Sequence, residues 1–116
     1  MIKVALMGHG VVGSGVAEIL EEKASSLCQK AGDDLYCADL RDFPDTVYAD
    51  RFTKNFEDIV ADDSIQIVVE AMGGLHPAYE FVKSCLQQGK SVVTSNKELV
   101  AEKGAELLTL AKERNV

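Results

Sequence analysis

Three short stretches carry residues whose types and spacing suit chemistry. Gly8-His9-Gly10-Val11-Val12-Gly13 follows the pattern G-x-G-x-x-G. In that pattern the first glycine permits a tight turn and the second removes a side chain where a pyrophosphate must approach the backbone. The third lets a helix pack close to its strand. Free amide groups at the helix start, together with the positive end of its dipole, then bind the pyrophosphate. Glu70-Ala71-Met72-Gly73-Gly74 places paired glycines after an apolar run, where the backbone can come close to a flat ring or a ribose; a plain loop fits these residues equally well. Thr94-Ser95-Asn96-Lys97 brings a lysine to the end of another apolar run. Most lysines are solvated surface charges. One beside a nicotinamide could hydrogen-bond or protonate a substrate carbonyl as hydride arrives, provided burial makes its ammonium a readier proton donor.

The elements that must position these stretches are legible from periodicity. Ile2 to Met7 is a short apolar run closed by Gly8 and suits a buried parallel strand. Val12, Val16, Ile19 and Leu20 recur at helical spacing, with Glu18, Glu21, Glu22 and Lys23 on the other face. A polar break at 29–34 precedes a second strand from Leu35 to Leu40, and 41–54, containing Pro44, is irregular. The spacing predicts a short helix over 56–60 capped by Asn55, a third strand from Ile65 to Ala71, and a helix that accepts Pro77 in its first turn. That helix carries a Phe81, Val82, Cys85, Leu86 stripe and stops at Gly89. Ser91 to Thr94 reads as a fourth strand, and 96–114 as a last helix with Ser95 and Glu98 at capping-box spacing.

Strands alternating with helices at this period form βαβ units, which predicts an α/β fold with a Rossmann-type doubly wound parallel sheet. Right-handed crossovers put every strand-to-helix turn on one edge of the sheet, and that edge is where a ligand binds. The three stretches above are those turns.

The 116 residues suffice for one domain, read here as 1–116, with no linker or repeat to divide it. Net charge is −7, so bulk-charge binding to nucleic acid or an anionic membrane surface is not expected. With 47% hydrophobic and 27% charged residues the composition is that of a soluble globule, and no apolar stretch is long enough to span a bilayer. Cys28, Cys37 and Cys85 are odd in number and fit no metal-ligand spacing; they read as reduced thiols in a cytoplasmic protein, without catalytic role.

The residue that meets the adenosine ribose is expected at the end of the second strand, near Asp39-Leu40-Arg41-Asp42. An acid there favours the 2′-hydroxyl of NAD, and an arginine the 2′-phosphate of NADP. Both types are present, so NAD and NADP both stay open, and Arg41 also fits a solvated surface cation. His9 needs no role.

Four stretches in order resemble the amino-terminal, nucleotide-binding domain of the homoserine dehydrogenase family. They are Gly8-His9-Gly10-Val11-Val12-Gly13-Ser14-Gly15-Val16, Leu40-Arg41-Asp42, Val68-Val69-Glu70-Ala71-Met72-Gly73-Gly74 and Val93-Thr94-Ser95-Asn96-Lys97. The last is the most specific, being similar to the family's Thr-(Ala/Ser)-Asn-Lys signature. His76-Pro77-Ala78 and Leu107 to Val116 also follow the pattern, so the likeness covers essentially the whole chain.

The resemblance implies an NAD(P)-dependent interconversion of L-homoserine and L-aspartate 4-semialdehyde, a step toward threonine, methionine and isoleucine. By the same likeness Val11, Val12 and Gly13 hold the pyrophosphate region and Arg41 contacts the adenosine ribose or its 2′-phosphate. Ala71, Met72 and Gly73 lie near the nicotinamide ribose, and Thr94 and Ser95 line the cofactor side. Lys97 assists proton transfer. The family's full enzyme continues into a substrate-binding and dimerising domain. The chain is therefore expected to be an excised domain that binds cofactor without turning over substrate. Three alternatives stand beside this one: a stand-alone nucleotide-sensing module, the cofactor domain of another amino-acid dehydrogenase or semialdehyde reductase, and a site for a mononucleotide or S-adenosylmethionine.

Overall fold

A continuous run of apolar residues near the start of the chain builds a strand buried on both faces, β1 (Ile2–Met7). The computed structural model describes residues 2–8, Gly15, Glu18, Ile19, 35–39 and 55–116. Within these, β2 (Leu35–Asp39), α1 (Glu57–Val60), β3 (Ile65–Glu70), α2 (Ala78–Gln87), β4 (Ser91–Thr94) and α3 (Lys97–Arg114) follow in order. Gly15, Glu18 and Ile19, in the crossover from β1 to β2, are helical. The expected apolar stripe of that helix does not bury Ile19, which is exposed; a single open apolar side chain is an ordinary surface feature. Val12, Val16 and Leu20 lie outside the described residues, as does the irregular 41–54 stretch.

The four strands form one sheet in the order β2-β1-β3-β4, and every neighbouring pair is parallel. The chain therefore winds from β1 outward to β2, then crosses to the other side of β1 to lay down β3 and β4. The order reverses between β1 and β3, which makes the crevice at their carboxyl ends the topological switch point.

Register places Ala5 beside Val68 and Met7 beside Glu70, with Val68 beside Val92 and Glu70 beside Thr94. These residues share one face, because side chains alternate along a strand. Ala5, Met7 and Val68 on that face pack with Ala78, Val82, Cys85 and Leu86 of α2 and with Leu99 and Leu107 of α3. The stripe expected on α2 is the buried one, with Phe81 at its margin stacked on Phe56 at a centroid distance of 4.0 Å. Val4 and Leu6 are buried toward the opposite face. On the outer side, the Tyr79 hydroxyl donates to Glu106 at 2.7 Å and Lys83 Nζ donates to the same carboxylate at 3.2 Å, tying α2 to α3.

The ends of the elements follow their residue types in part, with three corrections. Asn55 is not the N-cap of α1, which is Phe56 without a side-chain bond; Asn55 Oδ1 instead accepts from Glu57 N–H at 3.1 Å in the turn before the helix. Pro77 stands at the N-cap of α2, one residue ahead of its first turn. Gly89 ends α2 at φ +77°, a conformation open to glycine. The capping box does not form: the N-cap of α3 is Asn96, whose Oδ1 accepts from Leu99 N–H at 3.1 Å. What Asn96 has and Ser95 lacks is a side-chain amide, whose nitrogen finds a second partner in Gly74 O of the neighbouring loop.

Candidate functional site

The carboxyl edge of a parallel sheet is where the chain leaves each strand without ladder partners, so turn chemistry decides its shape. At the end of β1, Gly8 is buried and has φ +100°. A Cβ on Gly8 would lie 2.9 Å from the carbonyl carbon and oxygen of Ala71 and 3.0 Å from Met72 N. Ala71 N–H in turn donates to Met7 O at 2.8 Å. The glycine expected to permit the tight turn is therefore also what lets the ends of β1 and β3 close together at the switch point.

Glu70 ends β3 with its side chain fully buried, an expensive place for a carboxylate unless its oxygens are satisfied. They are. Oε2 accepts from Met72 N–H at 2.8 Å and Gly73 N–H at 3.2 Å, and Oε1 accepts from the Thr94 hydroxyl at 2.7 Å. Thr94 Oγ1 also accepts from Asn96 N–H at 3.0 Å, and Asn96 Nδ2 donates to Gly74 O. One polar network thus joins the Ala71–Gly74 loop to the Thr94–Lys97 turn. Among the described residues every buried side-chain nitrogen or oxygen has a partner.

The network leaves a defined surface on the ligand side. Gly73 and Gly74 have φ +77° and +75°, are exposed, and face open space where a Cβ would project. That leaves the backbone open to the close approach of a flat ring or a ribose, which is compatible with a dinucleotide on this edge. Ala71 and Met72 are half-buried beside it. Thr94, Ser95, Asn96 and Lys97, with Val100 and Ala101, line an open groove, and Lys97 is exposed as the first residue of α3.

Of the residues expected at the site, Gly8, Ala71, Met72, Gly73, Thr94, Ser95 and Lys97 therefore stand on one edge of the sheet. Thr94 turns its hydroxyl inward to Glu70 and Asn96. Gly10, Val11, Val12, Gly13 and Arg41 lie outside the described residues. Sequence reasoning gave no role to Glu70 or Asn96. The signal for Glu70 was an acid closing the apolar run Ile67-Val68-Val69, since a buried charge needs dedicated partners.

A parallel sheet that reverses its order beside a glycine-ended first strand, with its loops gathered over that crevice, is a Rossmann-type doubly wound domain. The family model described as the NAD-binding domain of homoserine dehydrogenase matches residues 8–116, and the chain belongs to that family. It is 36% identical over 120 residues to the homoserine dehydrogenase of Pseudomonas aeruginosa, covering 99% of this chain and 27% of the relative. The crystal structure of a homoserine dehydrogenase from Thiobacillus denitrificans superposes with a TM-score of 0.88 at 38% identity, covering 99% of this chain and 28% of that one. A hyperthermophilic archaeal homoserine dehydrogenase in complex with NADPH superposes with a TM-score of 0.79 at 25% identity, covering 99% of this chain and 42% of that one. The chain thus spans less than a third of the length of the curated relatives it matches. Among the described residues no helix is long and apolar enough to cross a membrane.

Proposed function

We propose that residues 1–116 form a single NAD(P)-binding domain that serves a homoserine dehydrogenase, interconverting L-homoserine and L-aspartate 4-semialdehyde. The observation that carries this reading is the switch-point crevice, where Gly8 closes against Ala71 and Met72 and the Thr94–Lys97 turn stands on the same edge. The family match supports the choice of reaction over the sensing-module and S-adenosylmethionine alternatives.

A bound nicotinamide supplies or takes up the hydride. The chain's own residues hold it: Gly8, Gly10, Val11, Val12 and Gly13 at the pyrophosphate, and Arg41 at the adenosine ribose or its 2′-phosphate. Ala71, Met72 and Gly73 lie beside the nicotinamide ribose, and Thr94 and Ser95 flank them. Lys97 is the catalytic residue, its Nζ hydrogen-bonding the substrate's carbonyl oxygen and donating a proton to it. Being exposed in this chain, Lys97 needs a covering substrate domain to exclude water around it. The same reading makes the full enzyme a cytoplasmic homodimer, with the amino-acid substrate as its other small-molecule partner. Neither nucleic acid nor membrane is a partner of this acidic surface.

Calorimetric titration with NADP⁺ and, separately, NAD⁺ tests the reading. Saturable binding of either supports it, and a preference for NADP⁺ that disappears in Arg41→Ala assigns the 2′-phosphate contact. A folded sample that binds neither at millimolar ligand overturns it.

A further inference from the structure

We propose that Glu70 is a positioning residue for the nicotinamide half of the dinucleotide, its carboxylate holding the Ala71–Gly74 loop and the Thr94–Lys97 turn in one fixed arrangement. The assignment rests on the dinucleotide reading above. That ligand crosses the switch point with its adenosine ribose at the end of β2 and its pyrophosphate at the turn after β1. The other half must then pass over the ends of β3 and β4, which are the two strands Glu70 and Thr94 terminate.

The position closes a buried strand, and an apolar side chain there would leave the Met72 and Gly73 amides and the Thr94 hydroxyl without their acceptor. What an apolar side chain cannot do is aim backbone groups. Glu70 takes the N–H groups of Met72 and Gly73 on one oxygen and the Thr94 hydroxyl on the other. Asn96 closes the ring, donating from its backbone to Thr94 and from its side chain to Gly74 O. The loop is thereby tied at both ends, and the exposed backbone of Gly73 and Gly74 is presented to the open side in one conformation. Lys97 follows Asn96 directly, so the same ring sets where the α3 amino terminus and its lysine stand.

Every bond Glu70 makes in the network is accepted: Oε2 takes the Met72 and Gly73 amides and Oε1 takes the Thr94 hydroxyl, whose oxygen in turn accepts from Asn96 N–H. In Glu70→Gln the amide nitrogen either meets the Met72 and Gly73 amides donor against donor, or donates to Thr94 Oγ1 and leaves the buried Thr94 hydroxyl hydrogen without its acceptor. Thr94→Val removes the hydroxyl and opens the ring from the other side with little change in shape.

The experiment compares the wild-type chain, E70Q and T94V by calorimetry. The ligands are the reduced dinucleotide that binds more tightly and its matching adenosine half, 2′,5′-ADP or ADP. The emission of the bound reduced nicotinamide is recorded alongside. Both variants are expected to bind the whole dinucleotide roughly tenfold more weakly, the worth of about one net hydrogen bond. They should hold the adenosine half as the wild type does and shift the nicotinamide emission. Unchanged dinucleotide affinity, or an equal loss of both ligands, overturns the assignment; the second outcome marks a merely structural role. If E70Q does not fold, T94V decides on the same comparison. A wild-type chain that binds neither ligand overturns the dinucleotide reading itself and is thus distinguishable.

Discussion

Gly8 sits so close to Ala71 that a Cβ on the glycine would be 2.9 Å from both the carbonyl carbon and oxygen of the alanine. Neither neighbour can yield, because Ala71 N–H is bonded to Met7 O and the Met72 amide to Glu70. The close approach of β1 and β3 is thus fixed by backbone on both sides.

Gly8→Ala should therefore cost at least ~2 kcal/mol, adding a steric clash to a φ of +100° that an L side chain rarely adopts. Thermal unfolding should show Tm lower by roughly 10 °C, with dinucleotide affinity lost in the fraction still folded. Gly15→Ala is the control. Gly15 is helical and nothing lies within 4 Å of where its Cβ would be, so the substitution should raise stability by up to ~1 kcal/mol. A destabilised G15A beside an unaffected G8A would reverse the roles argued for the two glycines.

The two candidate caps of α3 make opposite predictions. Asn96 is buried and bonded to Leu99 N–H, Gly74 O and Thr94 Oγ1, whereas Ser95 is exposed and its hydroxyl takes no part in the cap. Asn96→Ala should cost about 1–2 kcal/mol for the cap together with the tie to Gly74. Ser95→Ala should stay within about 0.5 kcal/mol of wild type. Urea unfolding of the pair separates them, and equal midpoints would contradict the cap assignment.

The contrast between Ser95 and Asn96 also marks what was legible in the sequence. β1 was readable because a parallel strand buried on both faces appears as an apolar run, and α2 because its stripe and Gly89 are local signals. The ligand edge followed from chirality and topology, since right-handed crossovers leave no other place for the three turns. Choosing between adjacent polar residues as a cap depends on a bond to Gly74, 22 residues away, which no local pattern encodes. Glu70 was hidden for the same reason: its donors come from the following loop and from β4, and only the β3–β4 register brings Thr94 to it.

Burial inside the α2 stripe pushes the Cys85 thiol up to about 11 from 9.0, against a smaller downward pull from the Lys90 ammonium. The folded chain therefore keeps its proton through a range where the unfolded chain releases it. The stabilisation is fully present below about pH 9 and is lost as pH rises toward 11. Wild type should accordingly lose its stability advantage over Cys85→Ala between pH 8 and pH 10.5, read as urea midpoints at the two values. Alkylation at pH 8 followed by peptide mapping should leave Cys85 unmodified until the chain unfolds. A midpoint difference that widens with pH would be the wrong sign.

Lys90 supplies the opposite edge of the sheet with what Glu70 supplies at the ligand edge. It is buried just before β4, and its Nζ donates to Asp62 O at 2.6 Å and to Ile65 O at 2.9 Å. It thereby fastens the turn between α1 and β3 to the start of β4. Lys90→Met keeps the length of the side chain and removes both donors, so it should cost about 2–4 kcal/mol. The damage lies at the amino ends of β3 and β4, roughly 15–20 Å along the strands from the switch-point crevice. Dinucleotide affinity should therefore stay at the wild-type value under conditions where K90M is folded, while its urea midpoint falls. A midpoint equal to wild type would mean the two carbonyl bonds contribute nothing net. A fall in affinity without loss of stability would mean that the two edges of the sheet are coupled.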